Sequence, residues 1–315
     1  MIGTIYQIIR TARPRQWIKN FSLFAAPLFF GNLFEHNIFI MTLRGFIVFC
    51  AISSSAYFIN DIIDAPKDRV HPIKKNRPIA SGKLPQGLAW VVAFILVLGS
   101  LAYSIFYIGS FFALAIIGYI TIQIFYTLFI KNIIILDSLT IATLFVVRVF
   151  AGGLASETSV SSWLTLATIG ISLLLAFGKR RSEKTIVAKY LSTAGAGQTR
   201  ETLKHYPDNL LDSMISMSAA YSIITYSLFV FQISPDTATP SLSSILPSIL
   251  GSPKWMMLSI PIVIYGVARY LYVIYEKNEG ESPDRVILSD KPLLVSIVLW
   301  VFFVLGVIYL LPLAS

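Results

Sequence analysis

Three carboxylates lie within one short stretch, Asn60-Asp61-Ile62-Ile63-Asp64-Ala65-Pro66-Lys67-Asp68-Arg69. At about 100° per helical residue, steps of three and seven place Asp61, Asp64 and Asp68 inside a stripe about 60° wide. Tyr57 and Asn60 extend the same side, while Pro66 interrupts an ideal helix and makes the position of Asp68 the least regular. Carboxylates this close repel one another unless a cation sits among them. Hard oxygen donors suit Mg2+, which is held by one or two carboxylates together with substrate phosphates, so a diphosphate is the natural third party. The competing interpretation is a solvated helix end whose acids pair with Lys67 and Arg69.

Bases follow at once, in Arg69-Val70-His71-Pro72-Ile73-Lys74-Lys75-Asn76-Arg77. Arg69, Lys74 and Arg77 suit the oxygens that a metal–diphosphate complex leaves exposed, although in isolation the segment is an ordinary basic loop. His71, next to Pro72, reads as a turn residue. A second basic cluster, Lys179-Arg180-Arg181-Ser182-Glu183, is either a phosphate site or a positively charged helix end, with Lys179 and Glu183 at i,i+4 spacing. Asp137 and Arg148 share one helical face eleven residues apart; Arg148 is either a structural charge partner or a phosphate ligand inside a cavity. Gly152-Gly153 allows a neighbouring helix to approach closely. Segment 192–200 holds a lone Gly-x-Gly and reads as a flexible loop. Catalytic triads, zinc motifs and dinucleotide fingerprints are missing from the sequence. Without a strong general base, the favoured chemistry is displacement of diphosphate from an activated carbon. The acceptor must then already be nucleophilic at pH 7, and the metal stabilises the leaving group.

The elements that position these groups must work in lipid. Of 315 residues, 56% are hydrophobic and 13% charged, and the mean hydropathy is +0.73. Soluble domains have about 45–50% apolar and 25% charged residues, and their cores stop growing at about 250–300 residues. The single cysteine, Cys50, excludes a disulfide framework and a cysteine metal cluster. No small-residue cleavage site cleanly follows Arg13, Arg15 and Lys19, so the first helix is expected to stay.

Apolar runs at 15–34, 40–63, 86–106, 110–130, 135–155, 160–178, 211–232, 255–275 and 292–312 predict an all-α polytopic membrane protein with nine transmembrane helices. With the N-terminus in the cytosol and the C-terminus outside, 22 of the 25 Lys and Arg fall on the cytosolic side, as do 13 of the 16 acids. The chain reads as one integral-membrane domain, 1–315, with cytosolic loops 64–85, 179–210 and 276–291 and its site facing the cytosol from the plasma membrane. Dense mixed charge on one face suits a polyanion with a metal, and no nucleic-acid partner is expected.

The order Asn60-Asp61-x-x-Asp64-x-x-x-Asp68 at the end of a second membrane helix, then His71-Pro72-x-Lys74-x-x-Arg77-Pro78-Ile79-Ala80-Ser81-Gly82, resembles the UbiA-type prenyltransferase superfamily. Three further segments look like its decaprenyl-phosphate 5-phosphoribosyltransferase branch. They are Arg13-Pro14-Arg15-Gln16-Trp17-Ile18-Lys19-Asn20, Val147-Arg148-Val149-Phe150-Ala151-Gly152-Gly153, and Glu281-Ser282-Pro283-Asp284-Arg285 through Asp290. The resemblance implies a UbiA-like helical bundle, Mg2+ as cofactor, phosphoribosyl diphosphate as donor and a long polyprenyl phosphate as acceptor, for a cell-wall sugar donor. It also implies metal ligation by Asp61, Asp64 and Asp68 with Asn60 supporting them, and substrate contacts from Tyr57, Arg69, Lys74, Arg77, Tyr126, Lys131 and Arg148. Without it, Lys131 is a simple interfacial anchor and 276–291 a solvated loop rather than a cover. Arg15, Trp17 and Lys19 are expected to hold the lipid headgroup, and Lys179, Arg180, Arg181 and Glu183 the 5-phosphate or the lipid phosphate.

Superfamily prenyltransferases commonly carry a second Asp-x-x-x-Asp after the sixth span, where this chain has bases and Glu183. That departure weighs against the runner-up, a prenyl diphosphate donor with an aromatic or other small acceptor. A transporter with an acidic ion site is disfavoured because the charges gather at one membrane face rather than at the midplane.

Overall fold

The computed structural model describes residues 2–70, 74–191, 206–234, 254–277, 286 and 289–310, with the side chains of 2, 186–191 and 277 excepted. His71, segment 192–200 and Glu281-Ser282-Pro283-Asp284-Arg285 lie outside the described residues. Everything regular among the described residues is helical: α1 (Ile2–Ala12), α2 (Ala25–Phe30), α3 (His36–Val70), α4 (Gln86–Tyr107), α5 (Ser110–Leu128), α6 (Leu136–Ser156), α7 (Ser162–Leu191), α8 (Asp208–Ile233), α9 (Ile260–Tyr272) and α10 (Lys291–Leu305). A 3-10 segment, Pro14–Phe24, joins α1 to α2, and π-helical turns extend α9 and α10.

Eight helical runs among the described residues are long and apolar enough to cross a membrane; they match the second to ninth expected spans, six of them within three residues, while His36–Val70 and Ser162–Thr185 run seven residues past the expected ends. The first expected span, 15–34, is not one continuous α-helix. Arg13 adopts left-handed φ and ends α1, and the chain then winds as the tighter 3-10 segment before α2. Side-chain bonds hold that winding against α3: Trp17 Nε1 donates to Ser54 Oγ at 3.0 Å and Asn20 Nδ2 to Ser53 Oγ at 3.3 Å.

Two compact units divide the chain, one of Met1–Val160 with Glu183–Leu210, the other of Ser161–Ser182 with Leu211–Ser315. In the first, Leu23, Phe49, Ile52, Phe112, Ile116, Tyr119 and Ala151 form a buried core. Its longest helix, α3, has 35 residues, about 52 Å at about 1.5 Å per residue. A hydrocarbon layer of about 30 Å cannot contain it, so one end of α3 must project. The acidic stripe sits on the last turns of this helix. Pro66 does not end the helix, which continues to Val70, and Asp68 therefore stays in register with Asp61.

In the second unit Trp300 donates to the Tyr226 hydroxyl at 2.7 Å, and that hydroxyl meets Ser259 Oγ at 2.6 Å. Arg269 holds both oxygens of Asp290 at 2.9 and 3.0 Å, while Asp290 caps α10 through the Leu293 N–H.

The close approach expected at Gly152 is present: a Cβ there would overlap the Leu23 carbonyl of the 3-10 segment. Backbone atoms cannot yield as a flexible side chain does. Gly152→Ala is expected to destabilise the protein by about 1–3 kcal/mol through overpacking, read as a lowered melting temperature in detergent, whereas Gly99→Ala, with open space around it, leaves it unchanged or raised.

Candidate active site

Each carboxylate of the stripe is met by a base from a different part of the first unit. Arg13 Nη2 lies 2.5 Å from Asp61 Oδ1, and Arg77 Nη1 lies 3.0 Å from that oxygen and 2.7 Å from Asp68 Oδ2. Lys131 Nζ is 2.5 Å from Asp64 Oδ1. Asp61 and Asp68 are 2% and 4% exposed, so their charges need these partners rather than solvent.

Local sequence explains how each base arrives. Arg13 takes φ 54° between α1 and Pro14, which turns its side chain back to α3, with the guanidinium 5.0 Å from the Tyr57 ring centre. Burial lowers its pKa, but the charges of Asp61, Tyr57 and Asp68 and the Asp61 hydrogen bond outweigh that and raise it above its ordinary value. Arg77 is aimed by the compact turn behind it, where Ser81 N–H donates to Arg77 O and Leu84 N–H to Pro78 O. Ile79 and Leu84 bury themselves against α3 and α4, and Gly82 supplies a positive φ of 74°. Lys131 sits on the 3-10 turn Ile130–Asn132 between α5 and α6.

A second polar assembly centres on Arg148 of α6. Arg148, 5% exposed, donates Nε to Asn20 Oδ1 at 3.0 Å, Nη2 to the Tyr119 hydroxyl at 2.7 Å and Nη1 to Leu144 O at 3.1 Å. It therefore braces the 3-10 segment against α5 and α6. Pairing with Asp137 does not occur, because eleven residues are about 16 Å of helix axis. Asp137 instead accepts from the Tyr206 hydroxyl at 2.8 Å and from Ser138 Oγ at 3.3 Å.

Residues 21–180 match the UbiA prenyltransferase family. The chain belongs to that family. Decaprenyl-phosphate phosphoribosyltransferase of Corynebacterium glutamicum is 32% identical over 308 residues, covering 97% of this chain and 87% of the relative. The protein of that name in Mycolicibacterium smegmatis is 31% identical over 306 residues, covering 96% and 92%. Among solved structures, a UbiA homolog from Archaeoglobus fulgidus bound to GPP and Mg2+ has a TM-score of 0.67 at 19% identity, covering 96% of this chain and 99% of that one. That likeness is one of fold. Family membership makes the chain a transferase and removes the transporter alternative.

Of the residues expected at the site, the structure brings Asp61, Asp64, Asp68, Tyr57, Arg77 and Lys131 together. Arg69 and Arg15 are exposed, and Asn60, Lys74, Tyr126 and Lys19 are half-buried. In the second unit Arg180 is 1% exposed, and Arg181 pairs with Asp212 at 2.9 Å, where the Tyr275 hydroxyl also donates at 3.0 Å. Lys179 and Glu183 are half-buried. Sequence reading missed Arg13, Tyr206 and Asp212 as functional candidates. Only Arg13 carried a signal, as the first residue of the Arg13-Pro14-Arg15 motif.

Among the described residues, no three acids, His or Cys gather tightly enough to cage a metal by themselves. Asp61, Asp64 and Asp68 spread over about 10 Å of helix axis. The donor set nevertheless fits a hard cation. Asp61 and Asp68 already hold one cationic nitrogen of Arg77 between them, and Mg2+ needs only one or two carboxylates beside substrate phosphates.

The shared Arg77 bridge gives a direct test. Losing one partner of a fully buried ion pair costs about 3–5 kcal/mol; Arg77 is 25% exposed, so Arg77→Met is expected to cost about 2 kcal/mol. Adding Asp68→Asn removes the stranded charge and recovers part of the loss, checked by thermal unfolding of both variants in detergent.

Proposed function

We propose that the chain transfers the 5-phosphoribosyl group of phosphoribosyl diphosphate to a polyprenyl phosphate, releasing diphosphate, with Mg2+ as cofactor. The observation that carries this is the carboxylate stripe matched base for base by Arg13, Arg77 and Lys131. It stands in a chain whose near-full-length relatives are named for that activity.

Bound Mg2+ would neutralise the leaving diphosphate. Asp61 and Asp68 present oxygens for it, with Asp64 and Asn60 beside them. Arg13, Arg69, Lys74, Arg77 and Lys131 bind diphosphate oxygens, assisted by Tyr57 and Tyr126. Lys179, Arg180 and Arg181, with Glu183, receive the remaining phosphate, and Arg15, Trp17 and Lys19 hold the lipid headgroup. Arg148 is assigned to bracing the 3-10 segment rather than to a phosphate. The bond from ribose C1 to the diphosphate oxygen breaks as a lipid phosphate oxygen attacks C1 from the opposite face. A phosphate monoester is anionic at pH 7, so the step needs no proton removal and no strong general base.

Both units serve as one transferase domain in the plasma membrane, with the donor entering from the cytosol and the product feeding cell-wall sugar donor synthesis. Nine crossings follow if Pro14–Phe24 and Ala25–Phe30 cross together. At about 2.0 Å per 3-10 residue and 1.5 Å per α residue they extend about 31 Å, the thickness of the hydrocarbon layer.

Asp61→Asn and Asp64→Asn are each expected to lower phosphoribosyl transfer by about 10²-fold or more, as loss of an electrostatic contact at a reacting centre does, and chelation of Mg2+ is expected to abolish it. Normal Mg2+-dependent turnover in either variant contradicts the assignment.

A further inference from the structure

Beside Lys131 the backbone adopts a conformation that needs an explanation. Ile135 has φ 66° and ψ −52°, and Leu136 N–H donates to Ile134 O at 2.7 Å. An i to i+2 bond around a positive-φ residue is a γ-turn of the rare, strained hand, and a β-branched side chain makes it costlier. Such conformations persist only where their surroundings hold them.

The holder here is Tyr206. Its hydroxyl accepts the Ile135 N–H at 2.5 Å and donates to Asp137 Oδ1 at 2.8 Å, one residue on either side of the α6 start. Both Tyr206 and Asp137 are fully buried. Burial, and after it the neighbouring Asp137 carboxylate, pushes the phenol up to about 12, against the pull of the Ile135 N–H; it remains a proton donor at neutral pH. Lys184 in turn fixes the Tyr206 backbone, donating to its carbonyl at 2.6 Å while pairing with Asp208 at 2.9 Å. The strained turn begins three residues after Lys131, and the other end of the same short connection is the Lys131–Asp64 pair.

We propose that Tyr206 is a positioning residue for the diphosphate site: by clamping the strained turn at Ile135 it fixes the α5–α6 connection, and so sets where Lys131 stands relative to Asp64. The inference rests on the proposed role of Lys131 as a diphosphate ligand. Tyr206 touches no reacting atom; it acts through the backbone between Ile135 and Lys131.

Glycine adopts positive φ without strain, which separates clamping from general support. The probe is inorganic diphosphate with Mg2+, titrated calorimetrically onto the full chain in detergent, using wild type, Tyr206→Phe, Ile135→Gly and the double variant. Tyr206→Phe is expected to bind about tenfold more weakly, as release of the strained turn allows. Ile135→Gly alone binds within about threefold of wild type, and the double variant recovers most of the loss. Unchanged binding in Tyr206→Phe overturns the proposal. So does a loss, of affinity or of folded protein, that Ile135→Gly does not restore, because Tyr206 is then general packing. Wild type that fails to bind Mg2+–diphosphate contradicts the proposed function instead.

Discussion

The mutual repulsion of three carboxylates at the end of one helix is the constraint on which the rest of the structure depends. Asp61 and Asp68 are almost fully buried, and ionised groups so placed are tolerated only when paired. The chain meets the demand with bases from three separate places: the break after α1, the turn behind α3 and the connection after α5. Each connection is therefore tied to the same helix end, and the site is assembled by electrostatics as much as by packing. On the proposed function the same demand serves binding, since a metal on the carboxylates leaves the bases to the anionic donor.

Depth in the membrane sets how those connections can be built. α3 is long enough to carry the stripe beyond the hydrocarbon, whereas Arg148 lies among apolar helices and has its guanidinium nitrogens engaged by Asn20, Tyr119 and the Leu144 carbonyl. Polar groups without water must be satisfied internally. Arg148 accordingly works as a brace that seats the 3-10 segment, and Gly152 lets the Leu23 backbone come close enough for the brace to reach. Two arginines in neighbouring motifs thus do different work: Arg13 at the carboxylates, Arg148 at the scaffold beneath.

Much of this was legible before any coordinates. Apolar runs located the eight helices long and apolar enough to cross, because hydrocarbon imposes length and composition, and the spacing of Asp61, Asp64 and Asp68 placed them on one face because a helix repeats every 3.6 residues. The broken first segment was not legible: hydropathy does not register a left-handed residue at Arg13 or a 3-10 winding held by Trp17 and Asn20. Nor were the partners of Arg148 legible, because a helical face shared with Asp137 says nothing of distance along the axis, about 16 Å for eleven residues. Tyr206 was invisible for a third reason. Its partners, Ile135 and Asp137, are about seventy residues away, and a strained turn at an isoleucine has no compositional mark. The contrast follows a physical divide: periodicity reports a helix face and its solvent, while contacts between distant segments leave no period.

The central claim concerns which donor the carboxylate stripe serves. The most direct measurement supplies the purified protein with Mg2+, a polyprenyl phosphate and either labelled phosphoribosyl diphosphate or a labelled prenyl diphosphate with an aromatic acid, and follows label into product. Transfer of the phosphoribosyl label into the lipid phase, dependent on both Mg2+ and the lipid phosphate, is the predicted result. Turnover of the prenyl diphosphate alone would contradict it, leaving the fold and the carboxylate stripe in place but assigning them to another donor.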